Sequence, residues 1–491
     1  MSSQQSPLII KDWNGIAESP HKGFGLFRNA DLQSFPGAVK VNKKPGTYFH
    51  SITTRTFTAE ESTDVCTASD VIEANGQNFG GGAVYFTTTG TLPAGLAINT
   101  IYFLIQVSST TFKVATSYKN SVGTAAGTQI DITGAGTGTH TMTQVPIGTI
   151  NWIIEDPRIN NNYMLSSNGR VWFNASAGTR AYLLHNSAID TGAAAVTNAS
   201  GQGIAINPFS SATSTYLFVF RNTLVDVIDV FGTTAIEALA WSNAWKTMNT
   251  GAGSGNSHHA IVGEDNAIYF CDDKYVGSII ENSGSTFDPA SGATFTYENK
   301  ALDLPAYEIA QCLEEQGGSL LIGGNTFNEI YPWDRISNSF DLPIPVPEYG
   351  IKRMKNIGGL VFILAGTWGN IYTTQGSYVK FFAKIPNYLT NNAGSVVSNP
   401  ATWGGIASVN GDLLFGVSTT TSGNSGVWRL KQDGTLTIDN VPSSGSANVI
   451  GLWGKSEFYL MGYSGGADNF NSAVSSTLLY NNFETVIHSA L

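Results

Sequence analysis

The sequence predicts an all-β fold, on three observations. It is poor in charge, it is rich in glycine, and a short apolar strand recurs along most of its length. Charged residues make up only 12% of the 491 residues, against 42% hydrophobic. Long surface helices carry Lys, Glu and Arg on their wet face, so this composition disfavours them. The 54 glycines outnumber the 17 prolines and fit many short strands joined by tight turns, where Gly supplies positive φ at little steric cost. Only Ala235 to Trp245 and Glu308 to Glu315 read as briefly helical.

The recurring strand sets the architecture. Its copies are Val171-Trp172-Phe173, Leu217 to Phe220, Ile268-Tyr269-Phe270, Leu320-Leu321-Ile322, Leu360 to Leu364, Leu413-Leu414-Phe415 and Phe458-Tyr459-Leu460. Most are preceded by a Gly or Asn turn, such as Gly317-Gly318, Gly358-Gly359 and Asn410-Gly411. Each is followed by a second strand. Shorter apolar runs precede several of them, including Ala260-Ile261-Val262 and Ile406 to Val409. The starts at 171, 217, 268, 320, 360, 413 and 458 recur about every 48 residues, the period of a four-stranded propeller blade. A single blade has two apolar faces and cannot bury them alone, but radial stacking and ring closure bury every face. The expectation is a β-propeller of about seven blades, with six or eight possible because strand boundaries drift by a few residues. The competing arrangement distributes the hairpins over two or three sandwiches.

Residues 57–145 break the repeat. They are rich in Thr, Gly and Ala and alternate in Val84-Tyr85-Phe86, Ile101 to Ile105 and Phe112-Lys113-Val114. A turn at Leu92-Pro93-Ala94-Gly95 separates two of these runs. This reads as a small inserted β-domain. The expected division is an N-terminal arm with a first propeller strand at 1–56, the insert at 57–145 and the propeller at 146–491.

Several functions are disfavoured. A formal net charge of −11 argues against a nucleic-acid grip, which needs clustered cations, but would suit a wall past which DNA slides. Cys66, Cys271 and Cys312 show no zinc spacing and read as small buried apolar residues. The opening MSSQQSPLIIKDWNG lacks the features of a signal peptide, and no run of about 18 apolar residues predicts a membrane span. No cofactor motif is present.

Candidate chemistry is sparse. Glu314-Glu315 and Asp272-Asp273 are adjacent acids, whose side chains point to opposite faces of a strand and so form no dyad by themselves; Asp272-Asp273 reads as a hairpin turn. Lys431 to Thr435 reads as a type I′ turn around Asp433-Gly434. His258-His259 reads as a solvated or loop pair. Trp172, Trp333, Trp368, Trp403, Trp428 and Trp453 fall at blade-like intervals. Inter-blade packing explains them, and a glycan-stacking surface is the sharper alternative.

The stretch TTTGTLPAGLAINTIYFLIQVSSTTFKVATS, residues 87–117, and ITGAGTGTHT, residues 132–141, resemble a module recurrent in tailed-phage structural proteins. The segment GFGLFRNADLQSFPGAVKVNKKP, residues 23–45, resembles the opening of phage virion proteins of the tail-nozzle or packaged-DNA-stabilisation type. The resemblance covers roughly a quarter of the chain and carries over no catalytic residue. It implies a virion component assembled in the host cytoplasm, paired with itself in a ring-like homo-oligomer. It also implies contact with other tail or portal/adaptor proteins and with passing DNA. Candidate assembly or ligand residues are Trp333, Trp368, Trp403, Trp453, Arg28 and Phe35. Two alternatives stand beside it, a receptor-binding or fibre-associated module recognising host glycans and a propeller glycan hydrolase. The hydrolase would need two carboxylates about 5 to 9 Å apart in the central pocket.

Overall fold

The computed structural model describes residues 24–28, 30–31, 40–41, 46–47, 54–72, 81–98, 100–116, 129–145, 148–156, 161–166, 170–174, 182–183, 202–207, 215–221, 223–230, 241–249, 258–282, 295–385, 402–418, 426–440, 448–455, 458–464, 470–474 and 484–487. Every regular element among them is a β-strand. Seven antiparallel four-strand units follow one another along the chain. Their innermost strands are Gly148–Asp156 (blade 1), Gln202–Ile206 (blade 2), Ala260–Val262 (blade 3), Ala310–Gln316 (blade 4), Ile351–Ile357 (blade 5), Thr402–Val409 (blade 6) and Asn448–Lys455 (blade 7). Each of these strands contacts the next, and that of blade 7 contacts that of blade 1, so the ring is closed. Blades 1 and 7 are also hydrogen-bonded, at Gly148↔Phe470 and Thr149↔Asn471, so the seven units form six sheets.

The second strands show why the sequence reads as continuous apolar runs rather than alternating ones. In blade 4, Leu320 and Ile322 join the core shared with blade 3, while Leu321 joins that shared with blade 5. In blade 5, Val361 and Ile363 face blade 4, while Phe362 and Leu364 face blade 6. A strand buried on both faces needs apolar residues at every position. The hairpins that open these strands share one chemistry. Gly317 and Gly318 have φ of 57° and 85°, and Gly358 and Gly359 have 62° and 87°. A type I′ turn requires positive φ at both central residues, and its twist matches the strands it joins. Asn410 and Gly411, at 50° and 80°, make the same turn in blade 6.

Ring closure uses both ends of the described chain. Gly46–Thr47 pairs with Phe470–Val474 and is the fourth strand of blade 7. Phe24–Arg28 pairs with Glu484–Ile487 and with Ile438 at the outer edge of blade 6.

Between Gly46–Thr47 and blade 1 lies a closed six-stranded barrel, in the order His140–Gln144, Thr54–Glu60, Val65–Ala68, Thr111–Ala115, Ile101–Gln106 and Ala83–Thr88. Its core holds Phe57, Phe86, Tyr102, Leu104, Phe112 and Met142, with Phe57 and Phe86 ring centroids 5.1 Å apart. Ala83, Phe103 and Val145 of the barrel belong to the same apolar cluster as Ile150 and Ile153 of blade 1, so the barrel is docked on the propeller.

Several expectations are corrected. The briefly helical segments are strands where described, Trp241–Thr247 and Ala310–Gln316, because each completes a blade ladder. Val171-Trp172-Phe173 is the third strand of its blade rather than the second. The second is Asn161–Ser166, whose polar ends hide the short apolar run Tyr163-Met164-Leu165. In the Lys431–Thr435 hairpin, the Gly434 N–H donates to the Lys431 carbonyl at 2.9 Å, and of the central residues only Gly434 has positive φ. That is a type I turn followed by a left-handed glycine rather than type I′.

Candidate functional site

The inner strands converge on a central cavity of ≈320 Å³, to which all seven blades contribute. Its chemistry comes from blades 1, 3, 4 and 5, and blades 6 and 7 add mainly backbone and apolar surface, with Trp453 at one side. Strand alternation decides which side chains reach it. In Ile351–Ile357, Arg353 and Lys355 line the cavity, whereas Lys352 turns aside to Asn325 Oδ1. In Ala310–Gln316, Glu314 lines the cavity, and Glu315 pairs with Arg335 toward blade 3.

The Trp152 and His259 rings stack with centroids 5.2 Å apart and 17° between planes. The Arg353 guanidinium sits 5.0 Å from the Trp152 centroid, within cation–π range. The Leu313 N–H donates to His259 Nδ1 at 2.9 Å, which places the proton of the neutral ring on Nε2. Burial, with the Arg353 and Lys355 charges adding, pulls the His259 pKa down to about 3, so the imidazole is neutral at physiological pH. Lys355 Nζ lies 3.2 and 3.3 Å from the two oxygens of Glu314. Burial raises the Glu314 pKa, and Lys355 opposes that shift. Arg353 donates one hydrogen bond, from Nη1 to the Lys352 carbonyl at 2.8 Å.

Both histidines lie outside the strands, just before the inner strand of blade 3, as a loop pair would, but His258 is not solvated. It is fully buried and its Nδ1–H donates to the Cys271 carbonyl at 2.9 Å. Its own carbonyl lies so close to Gly203 that a Cβ there would fall 1.7 Å from the oxygen, so only glycine fits. Asp272 is buried and accepts from the Asn249 backbone and side chain, and Asp273 occupies the turn with φ of 58°. Cys66, Cys271 and Cys312 are buried free thiols. Among the described residues, no three His, Cys, Asp or Glu side chains converge as a metal site would require.

Among the described residues proposed from sequence as an assembly or ligand surface, Trp333, Trp368 and Trp453 occupy three different settings. Trp333 is not a surface residue: it is 3% exposed, packs edge-on against Tyr269 of blade 3 at 5.8 Å, and donates Nε1–H to the Ser337 carbonyl. Trp172 and Trp428 are likewise buried between blades. Trp368 is 54% exposed on a loop of blade 5, and Trp453 lines the central cavity. Arg28 and Trp403 lie on strands whose side chains at those positions are outside the described residues, and Phe35 is outside them altogether. Sequence reading missed Trp152, Arg353 and Lys355. The available signal was charge in a blade strand: IKRMKNI places three cations in a segment that sits at blade spacing.

No protein-family model matches the chain, and no curated protein matches it. Solved structures with the propeller fold do match. Virginiamycin B lyase from Staphylococcus aureus is 14% identical, with a TM-score of 0.43, over 66% of this chain and 94% of that one. The β-propeller domain of Myceliophteria thermophila Cps50 (Swd1) is 9% identical, with a TM-score of 0.44, over 68% and 98%. The WD40 β-propeller domain of Doa1 is 9% identical, with a TM-score of 0.41, over 67% and 94%. One of the three is an enzyme by name, and at this distance the likeness concerns the fold alone.

Proposed function

We propose that the chain is a structural component of a tailed-bacteriophage particle, a tail or neck nozzle or adaptor that assembles with itself into a ring and has no catalytic role. The observation that supports this best lies in the barrel. The two phage-like stretches, separated by 14 residues in the sequence, form one structural unit. Thr91 and Thr137 exchange backbone hydrogen bonds of 3.1 and 2.8 Å, and Ala94 N–H donates to the Gly134 carbonyl at 2.9 Å. The Leu92–Gly95 turn is thereby fastened to the ITGAGTGTHT segment, with Gly95 at φ of 102°. The motif belongs to a closed barrel carried by the propeller, and in this reading that barrel is the part that docks neighbouring subunits.

In this reading the partners are further copies of the chain and neighbouring tail or portal/adaptor proteins, and assembly takes place in the host cytoplasm. A cavity of ≈320 Å³ is of small-molecule size, so passing DNA would run between subunits rather than through the propeller axis. Glu314 is the one carboxylate among the described residues lining that cavity, and it is held by Lys355. Two-carboxylate glycoside hydrolysis asks for a convergent pair, so the hydrolase reading has no support there. The test is antibody labelling of particles made from the encoding genome, together with native mass spectrometry of the purified chain. Labelling at one fixed point of the tail or neck and a symmetric oligomer are expected. Particles lacking the chain, or holding it as an isolated monomer, would sink the proposal.

A second reading, glycan recognition in a receptor-binding module, draws on Trp368 and Tyr349. They are 54% and 71% exposed beside the same loop, whose Thr367 and Trp368 N–H groups are tied to Glu348. Glycan-array binding lost in Trp368→Ala would favour it over the structural role.

A further inference from the structure

We infer that the central cavity of the propeller is a binding site for a small organic monocarboxylate held by Arg353. The inference stands on the cavity itself and is independent of any role in a virion.

Arg353 carries five N–H donors in a rigid fork. Among the described residues one of them is used, by the Lys352 carbonyl, and no carboxylate pairs with the guanidinium. Two other arginines of the propeller contrast with it. Arg335 pairs with Glu315, and Arg429 is held by both Asp412 and Asp439. Arg353 has instead the face of Trp152 behind it, which fixes the plane of the fork without consuming its donors. A guanidinium held in this way and left without an anion matches a carboxylate in bidentate geometry.

The charges of the lining select the ligand's charge. Glu314 and Lys355 cancel, His259 is neutral, and Arg353 leaves a net charge of about +1 at the cavity. One negative charge balances it. The rest of the wall selects the ligand's body. Ile154, Ile204, Ile261 and Ile406 surround the space with aliphatic surface, so a flat or apolar body with a carboxylate at one end fits better than a polyanion. The volume of ≈320 Å³ lies at the low end of small-molecule pockets. A protein of net charge −11 that keeps an unpaired arginine at its symmetry centre loses stability by doing so, unless an anion arrives.

Isothermal titration of the full chain with benzoate, benzamide and inorganic phosphate tests the assignment. Benzoate should bind saturably at one site per chain. Benzamide, of the same shape and without the charge, should bind at least about tenfold more weakly, as loss of a charge-assisted pair implies. Phosphate should be the weaker anion. Arg353→Met should weaken benzoate by at least about tenfold, and Arg353→Lys should restore part of the loss. Absence of saturable benzoate binding, or benzamide binding as tightly as benzoate, would overturn the proposal on the unaltered protein, even where Arg353→Met fails to fold. Unchanged benzoate affinity in a folded Arg353→Met chain would do the same. Phosphate binding more tightly than benzoate would remove the carboxylate assignment.

Discussion

His259 is held by contacts that require it to be neutral. Its Nδ1 lone pair accepts the Leu313 N–H, its ring face covers Trp152, and Arg353 and Lys355 stand near it. Protonation would lose the hydrogen bond and add a third cation to the cavity. With a folded pKa of about 3 against roughly 6.5 unfolded, the unfolded chain binds the extra proton throughout that window. Stability from this residue is therefore complete above about pH 6.5 and falls as pH drops toward 3. Between pH 7 and pH 4 the loss should be on the order of 3 kcal/mol. Glu314 acts in the opposite sense, since its raised pKa costs stability as pH rises above the ordinary carboxylate range. Urea midpoints measured from pH 7 to pH 4 should fall steeply in the unaltered chain and less steeply in His259→Asn. The Asn Oδ1 can accept the Leu313 N–H without titrating, so an equal slope in both would remove His259 as the cause.

At the scale of elements, buried polar side chains fasten strands and loops that the hydrophobic effect alone would leave free to slide. Arg429, on the third strand of blade 6, bonds Asp439 on the fourth through Nε at 3.1 Å and Nη2 at 3.3 Å, and Asp412 on the second through Nη1 at 3.1 Å. Three strands are thus set in register by one fork. Arg429→Met takes the guanidinium away from the buried Asp439, 5% exposed, and should cost roughly 3–5 kcal/mol in chemical denaturation. Converting Asp439 to Asn in the same chain should recover part of that loss, because the buried position then no longer carries the charge that the guanidinium balanced. A related device recurs between blades. Glu308, before blade 4, accepts the Thr326 and Phe327 N–H groups and the Tyr331 hydroxyl. Glu348, before blade 5, accepts the Thr367 and Trp368 N–H groups and the Tyr372 hydroxyl. Burial, aided by the Glu348 contact, pushes the Tyr372 pKa up to about 12. Each carboxylate stitches the opening of a blade to a loop within it.

The whole molecule is a ring whose last blade is completed from the beginning of the chain. Gly46–Thr47 supplies the outer strand of blade 7, and Phe24–Arg28 bridges the final strand Glu484–Ile487 to blade 6. Contacts between distant parts of a chain hold a closed ring against opening at its seam. Removal of residues 1–47 should lower the midpoint of thermal unfolding and broaden the transition, by scanning calorimetry. An unchanged transition would mean that the blade 1 to blade 7 hydrogen bonds at Gly148 and Thr149 suffice to close the ring. The barrel sits at the same seam, between the closing strand and blade 1, and shares the apolar cluster of Ile150 and Ile153.

The sequence by itself determined the strand content, the blade spacing and the break at the barrel. Those are local matters: apolar runs such as Leu320-Leu321-Ile322, and turns such as Gly358-Gly359, whose open surroundings show that glycine serves φ there rather than space. Glu314 and Glu315 part company by strand alternation, but the segment reads as briefly helical and becomes a strand only through its ladder in blade 4. Only the tertiary structure decided which tryptophans are wet. Trp333 and Trp368 sit at comparable intervals, yet one is sealed between blades and the other is exposed, since exposure depends on what the next blade covers. It alone decided the cavity. Trp152, His259, Glu314 and Arg353 lie on four different blades, and no spacing along the chain records that ring closure points them at one axis. The paired histidines show both limits: sequence gave their adjacency, and closure of the ring sent His258 beneath Gly203 and His259 to the centre.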